Sequence, residues 1–120
     1  MEKRKFNIIL ITNQEKDEYN LLGEYDHEKG IIYYNESKSL LTEVKINLKD
    51  KILIRDNKDY YLEYRFIENK ETENEIKLKE LNQSLMIKIK TEIFEVSDNS
   101  VKIVYEIVDS NEKVSYQINF

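Results

Sequence analysis

The stretch Val101-Lys102-Ile103-Val104-Tyr105-Glu106-Ile107-Val108, then Asp109-Ser110-Asn111-Glu112, then Val114-Ser115-Tyr116-Gln117-Ile118-Asn119-Phe120, decides the fold class. Side chains alternate faces along a strand and repeat every 3.6 residues on a helix, so the apolar period separates the two. Val101, Ile103, Tyr105 and Ile107 fall on one face of the first segment, and Val114, Tyr116, Ile118 and Phe120 on one face of the second. A short break of Asp, Ser and Asn joins them, which forces the two strands to run antiparallel.

The same period of two extends outward through the chain. Leu40, Thr42, Val44, Ile46 and Leu48 alternate with Leu41, Glu43, Lys45 and Asn47; Leu85, Ile87, Ile89, Thr91 and Ile93 alternate with Met86, Lys88, Lys90, Glu92 and Phe94, and Leu62, Tyr64 and Phe66 with Glu63 and Arg65. Phe6 to Thr12, Tyr19 to Tyr25, Ile31 to Tyr34 and Ile52 to Arg55 are shorter or less regular strands. Their breaks, such as Asp26-His27-Glu28-Lys29-Gly30, Lys49-Asp50, Asp56-Asn57-Lys58-Asp59 and Ser97-Asp98-Asn99-Ser100, are short and rich in turn formers. With only two glycines and no proline, Asn and Asp must supply the special turn conformations. Ile67 to Glu75, with Glu68, Glu71, Glu73 and Glu75, is too charged for a core strand and reads as a solvated loop; Ile76 to Gln83 fits a short edge strand or a helical turn. A succession of hairpins with one apolar face and no helix to cover it must curl round on itself. The expected fold is therefore all-β: residues 1–120 as one antiparallel up-and-down barrel of about 8–10 strands.

Composition narrows the function. At 120 residues, 40% hydrophobic and 36% charged, the chain is too apolar for disorder and too charged for a membrane protein. The longest apolar run near the start, Ile8 to Ile11, is too short for a signal peptide or a membrane span. Together with the absence of cysteine, this points to a soluble, cytoplasmic protein. A net charge of −5 argues against nucleic acid, because phosphate binding needs clustered cations. The best such cluster, Lys3-Arg4-Lys5, stands at an end expected to fray.

No catalytic or metal-binding constellation stands out. The single histidine, His27, lies in a turn among charged neighbours, and zinc would want more His or Cys. Gly23 and Gly30 are too far apart for a phosphate loop. The reading is a protein without cofactor or metal, and not an enzyme. What remains is nine tyrosines and no tryptophan. Tyr64, Tyr105 and Tyr116 share the phase of the most apolar residues, so they point inward, where they either complete a packed core or line a small cavity. Tyr33-Tyr34 and Tyr60-Tyr61 each place one ring on either face of a strand. Arg55 falls where the barrel rim should be, able to clamp a ligand carboxylate or to pair with Glu36, Glu63 or Asp56.

The run Gly30-Ile31-Ile32-Tyr33-Tyr34-Asn35-Glu36, then Leu41-Thr42-Glu43-Val44-Lys45-Ile46, Lys51-Ile52-Leu53-Ile54-Arg55 and Ser84-Leu85-Met86-Ile87-Lys88-Ile89-Lys90-Thr91, resembles the YwiB-like family of uncharacterised bacterial calycin-type β-barrels. The chain departs from the family pattern at Asp56-Asn57 and Asn82-Gln83, where relatives carry glycine. The resemblance implies a lipocalin-like fold and no activity. The leading expectation is a barrel that holds a small, mainly apolar ligand among Tyr64, Tyr105 and Tyr116, with Arg55 at the mouth. The alternative is a solid barrel acting through a protein partner or as a homodimer.

Overall fold

The computed structural model describes residues 2–36 and 41–120. Leu40, expected to open a strand, lies outside the described residues. Ten strands follow in order: β1 (Glu2–Thr12), β2 (Glu15–Asp26), β3 (Ile31–Glu36), β4 (Thr42–Asn47), β5 (Ile52–Asp56), β6 (Tyr60–Arg65), β7 (Glu71–Leu78), β8 (Gln83–Val96), β9 (Ser100–Ile107) and β10 (Glu112–Asn119). Each pairs antiparallel with the next, and β10 returns to pair with β1, closing a meander into a barrel with no free edge. Among the described residues there is no helix, and none long and apolar enough to cross a membrane.

The alternation places Phe6, Ile8, Ile32, Val44, Ile46, Ile89, Ile103 and Ile118 in the interior, all almost fully buried. Asparagine takes the place of glycine in the turns: Asn13, Asn69, Asn82 and Asn111 all have positive φ, joined by Gln14 and Lys51. Asn82 thus adopts the conformation that glycine would supply. Asn57 works differently: its Oδ1 accepts from the amides of Asp59 and Tyr60, each at 2.9 Å, and its Nδ2 donates to Thr42 Oγ1 at 3.2 Å.

Three expectations are corrected. Ile67 to Glu75 is not a solvated loop throughout, since Glu71 onward forms β7. Glu71 stands opposite Lys90 and Glu73 opposite Lys88, so these two carboxylates lie across from cations in the strand register. On the inner face Asn74 is buried, with Oδ1 accepting from the Arg65 amide at 2.8 Å and Nδ2 donating to Thr72 O at 3.1 Å. That side chain bridges a stretch where β6 and β7 pair at only three positions, Tyr60 to Leu62. Second, Ile93 does not share the inward phase of Ile89 and Thr91. A bulge between Thr91 and Ile93 shifts the alternation by one, so Phe94 is buried instead. Third, Lys3-Arg4-Lys5 is not frayed: it pairs with Leu22 to Glu24, and the Arg4 guanidinium lies 5.1 Å from the Tyr25 ring centroid.

Candidate functional site

The meander places alternate turns at opposite ends. The end carrying the β2–β3 turn is filled by rings: Phe6 meets Tyr34 at 6.1 Å and Phe120 at 5.9 Å, and Tyr25 meets Phe120 at 4.8 Å. Gly23 makes this possible, because a Cβ there would overlap the Phe6 ring and come within 2.8 Å of the Tyr33 carbonyl oxygen. His27 sits at this filled end, its ring 5.7 Å from Tyr25.

Toward the other end the interior opens into a cavity of about 330 Å³. Its apolar wall includes Leu10, Leu53, Phe66, Ile103, Ile107 and Val114; Thr12, Asp17, Tyr19, Glu36, Arg55, Tyr105, Glu112 and Tyr116 supply the polar groups. An ion pair lies in the cavity lining. Arg55 Nη1 donates to Glu36 Oε1 at 3.0 Å and Nη2 to Oε2 at 2.8 Å, a two-pronged pair with both side chains largely buried. The Tyr19 hydroxyl donates to the same Glu36 Oε1 at 2.9 Å. Burial by itself would push the Arg55 guanidinium down, but the hydrogen bonds and charge of Glu36, assisted by Tyr60, outweigh it and hold its pKa above the usual value.

The tyrosines are kept neutral. Burial raises Tyr19, and the nearby Glu36 carboxylate raises it further. Tyr105 is raised by burial and then by its neighbour Tyr64; Tyr116 is raised well above 10 by burial and then by Tyr19. The Tyr116 hydroxyl is turned toward Tyr19 yet makes no hydrogen bond of good geometry, and it is fully buried. The hydroxyls of Tyr34 and Thr91 are also buried without a partner, but neither residue lines the cavity.

Of the residues singled out in the sequence, Arg55, Tyr105 and Tyr116 meet around this one cavity. Tyr64 does not line it; it is 5% exposed and packs edge-on against Tyr105 at 5.6 Å, supporting the wall from behind. Glu36, one of three acids considered for Arg55, is its partner. Tyr19, Asp17 and Glu112 were not anticipated. The inward phase shared by Tyr19, Leu21, Gly23 and Tyr25 was the one available signal for Tyr19. Among the described residues no group of three His, Cys, Asp or Glu side chains is placed to hold a metal ion.

Fold and cavity together define a closed ten-stranded antiparallel barrel, plugged at one end and hollow toward the other. In that architecture the chain is similar to the crystal structure of the ywiB protein from Bacillus subtilis, with a TM-score of 0.64 and 16% identity over 98% of this chain and 92% of that one. At that identity the likeness establishes a YwiB-like fold. No protein-family model and no curated protein matches the sequence.

Proposed function

We propose that the chain is a calycin-type binding protein of the cytoplasm, which holds a small, mainly apolar molecule in its barrel. On this reading it works by sequestration, without catalysis, cofactor, nucleic acid or membrane. The observation that carries the reading is the cavity itself, about 330 Å³ walled largely by Leu10, Leu53, Ile103, Ile107 and Val114, with Tyr19, Glu36 and Arg55 among its polar groups. The cavity of about 330 Å³ falls at the small end of ligand sites, which span roughly 300–1,000 Å³.

Native mass spectrometry of freshly purified protein, beside the same sample denatured, tests the proposal. The expected result is a mass excess that vanishes on denaturation and is absent from Ile107→Trp, whose larger side chain fills the cavity. A bare mass, together with no uptake of a neutral apolar dye that Ile107→Trp would exclude, overturns it.

One feature favours a second reading, a protein-contact module. Leu81, Leu85 and Met86, around the β7–β8 turn, are 64%, 50% and 61% exposed. Sedimentation velocity that finds dimers dissociated by Leu85→Lys would support this reading, and a monomer at all concentrations would speak against self-association.

A further inference from the structure

Barrel closure gives every strand two neighbours, but β8 outruns one of them. It has 14 residues against the 8 of β9, and the two pair only from Ile89 onward, with Ile89 opposite Ile107. Just past that pair the Val108 amide donates to the Lys88 carbonyl oxygen at 2.9 Å, so the peptide groups of Lys88 face β9. Successive residues of a strand turn their peptide groups to alternate neighbours, and those of Met86 and Ser84 therefore point the same way as those of Lys88. Continuing the register would set Ser110 and Glu112 across from them, but the chain has by then turned back, and Glu112 pairs with Ile107. Among the described residues no strand pairs with this length of edge, and residues 83–86 are all exposed.

The overhang is built to be paired. Gln83-Ser84-Leu85-Met86-Ile87 carries no charge, and Leu85 and Met86 are large apolar side chains facing solvent. β1 has a comparable overhang, since its pairing with β10 starts only at Asn7, but its open stretch is Glu2-Lys3-Arg4-Lys5, whose charges discourage another strand. A second copy fits the β8 edge because the edge is self-complementary. With a two-fold axis through Leu85, Ser84 of each copy falls opposite Met86 of the other, and each such pair exchanges both of its N–H···O bonds. Leu85 then meets its own counterpart at the close, non-hydrogen-bonded position. An axis through Ser84 would set Met86 against Asn82, which has turned to positive φ, and one through Met86 would set Ser84 against Lys88, whose carbonyl is taken by Val108.

We propose that the chain forms a two-fold dimer in which the β8 overhangs of two copies pair edge to edge about Leu85 and join the two barrels through one continuous sheet. This deepens the protein-contact reading and does not depend on what the cavity holds.

Sedimentation velocity over a concentration series tests it with Ser84→Pro beside Ser84→Ala. Both lose the hydroxyl that bonds Glu75, but only proline removes the edge N–H, and neither removes an apolar side chain. Proline is tolerated where a strand's N–H faces solvent, so the β7 ladder survives. The unmutated protein and Ser84→Ala should show a weak monomer–dimer equilibrium, and Ser84→Pro should weaken it by about tenfold or more through its lost hydrogen bonds. Hydrogen exchange of the unmutated protein gives a second readout, independent of how the variants fold: the Ser84 and Met86 amides should be protected at high concentration and exchange freely on dilution. A dimer that Leu85→Lys dissociates and Ser84→Pro does not overturns the strand pairing and leaves the protein-contact reading standing. Exchange at Ser84 and Met86 that dilution leaves unchanged overturns the pairing as well, and a monomer at every concentration defeats self-association altogether.

Discussion

The two ends of the barrel draw on the same kinds of residue and reach opposite results. At the filled end Phe6, Tyr25, Tyr34 and Phe120 turn edge to face and close the interior, with Arg4 capping Tyr25 from above. At the hollow end Tyr19, Tyr105 and Tyr116 stand around a space they do not fill, and Arg55 is drawn to Glu36 instead of to a ring. The difference lies in close approach: Gly23 lets the Phe6 ring settle onto the backbone at one end, whereas at the other a buried ion pair holds β3 and β5 side chains at fixed hydrogen-bond distance. The first end supplies stability through packing, and the second gives up packing for a chemically defined cavity.

The largest expected effect follows from the filled end. Phe6→Ala removes a ring that is 1% exposed and touches both Tyr34 and Phe120, so it should cost about 3–5 kcal/mol in urea unfolding. A loss below about 1 kcal/mol would mean that this end is no better packed than the other.

The hollow end should respond through charge. Glu36→Gln leaves Arg55 without its carboxylate while its side chain is only 24% exposed. The expected loss falls between the ~1 kcal/mol of an exposed pair and the ~3–5 kcal/mol of a fully buried one. Replacing both residues with leucine should recover most of that loss, since a buried pair exchanged for apolar groups is often neutral. If Glu36→Gln costs nothing measurable, the pair is a surface contact and the cavity is not organised by it.

The strands that carry this contrast were visible in the sequence, and the contrast itself was hidden for definite reasons. Alternation reveals strands and inward faces because it is local, so Leu62, Tyr64, Phe66, Val44 and Ile46 fall where their spacing puts them. It fails at Glu92, where one extra residue in β8 reverses the phase, and at β7, where Lys88 and Lys90 stand across from Glu73 and Glu71. The cavity was only partly legible. Arg55, Tyr105 and Tyr116 announce themselves as inward or rim residues, but Tyr19 and Glu36 join them only because barrel closure brings β2, β3, β5 and β10 around one space. Whether inward tyrosines fill a core or line a void depends on that three-dimensional closure and not on their spacing.

Alkaline pH should separate the two ends again. Tyr105 and Tyr116 ionise above their ordinary value in the folded barrel, chiefly because burial disfavours the phenolate. In the unfolded chain they ionise near 10. Above that pH the unfolded chain therefore holds fewer protons than the native one, and stability falls as pH rises. Each group contributes at most about 1.4 kcal/mol per pH unit. Phenolate absorbance should show these two rings ionising only as the barrel unfolds, with the loss of stability reduced in Tyr105→Phe. Free titration of both near pH 10 in folded protein would mean that water already fills the cavity.

The smallest effect on stability carries the most information about the site. Tyr116 and Tyr34 both bury a hydroxyl without a partner, so changing either to phenylalanine removes an unsatisfied group. Neither change should destabilise the barrel, and each can stabilise it by up to about 1 kcal/mol. They should differ in binding, because Tyr116 lines the cavity and Tyr34 does not. Tyr116→Phe is expected to change the barrel's uptake of a neutral apolar dye, while Tyr34→Phe leaves it as it was. Equal behaviour of the two variants would make the Tyr116 hydroxyl a packing compromise like its counterpart, and the hollow end would then differ from the filled end only in volume.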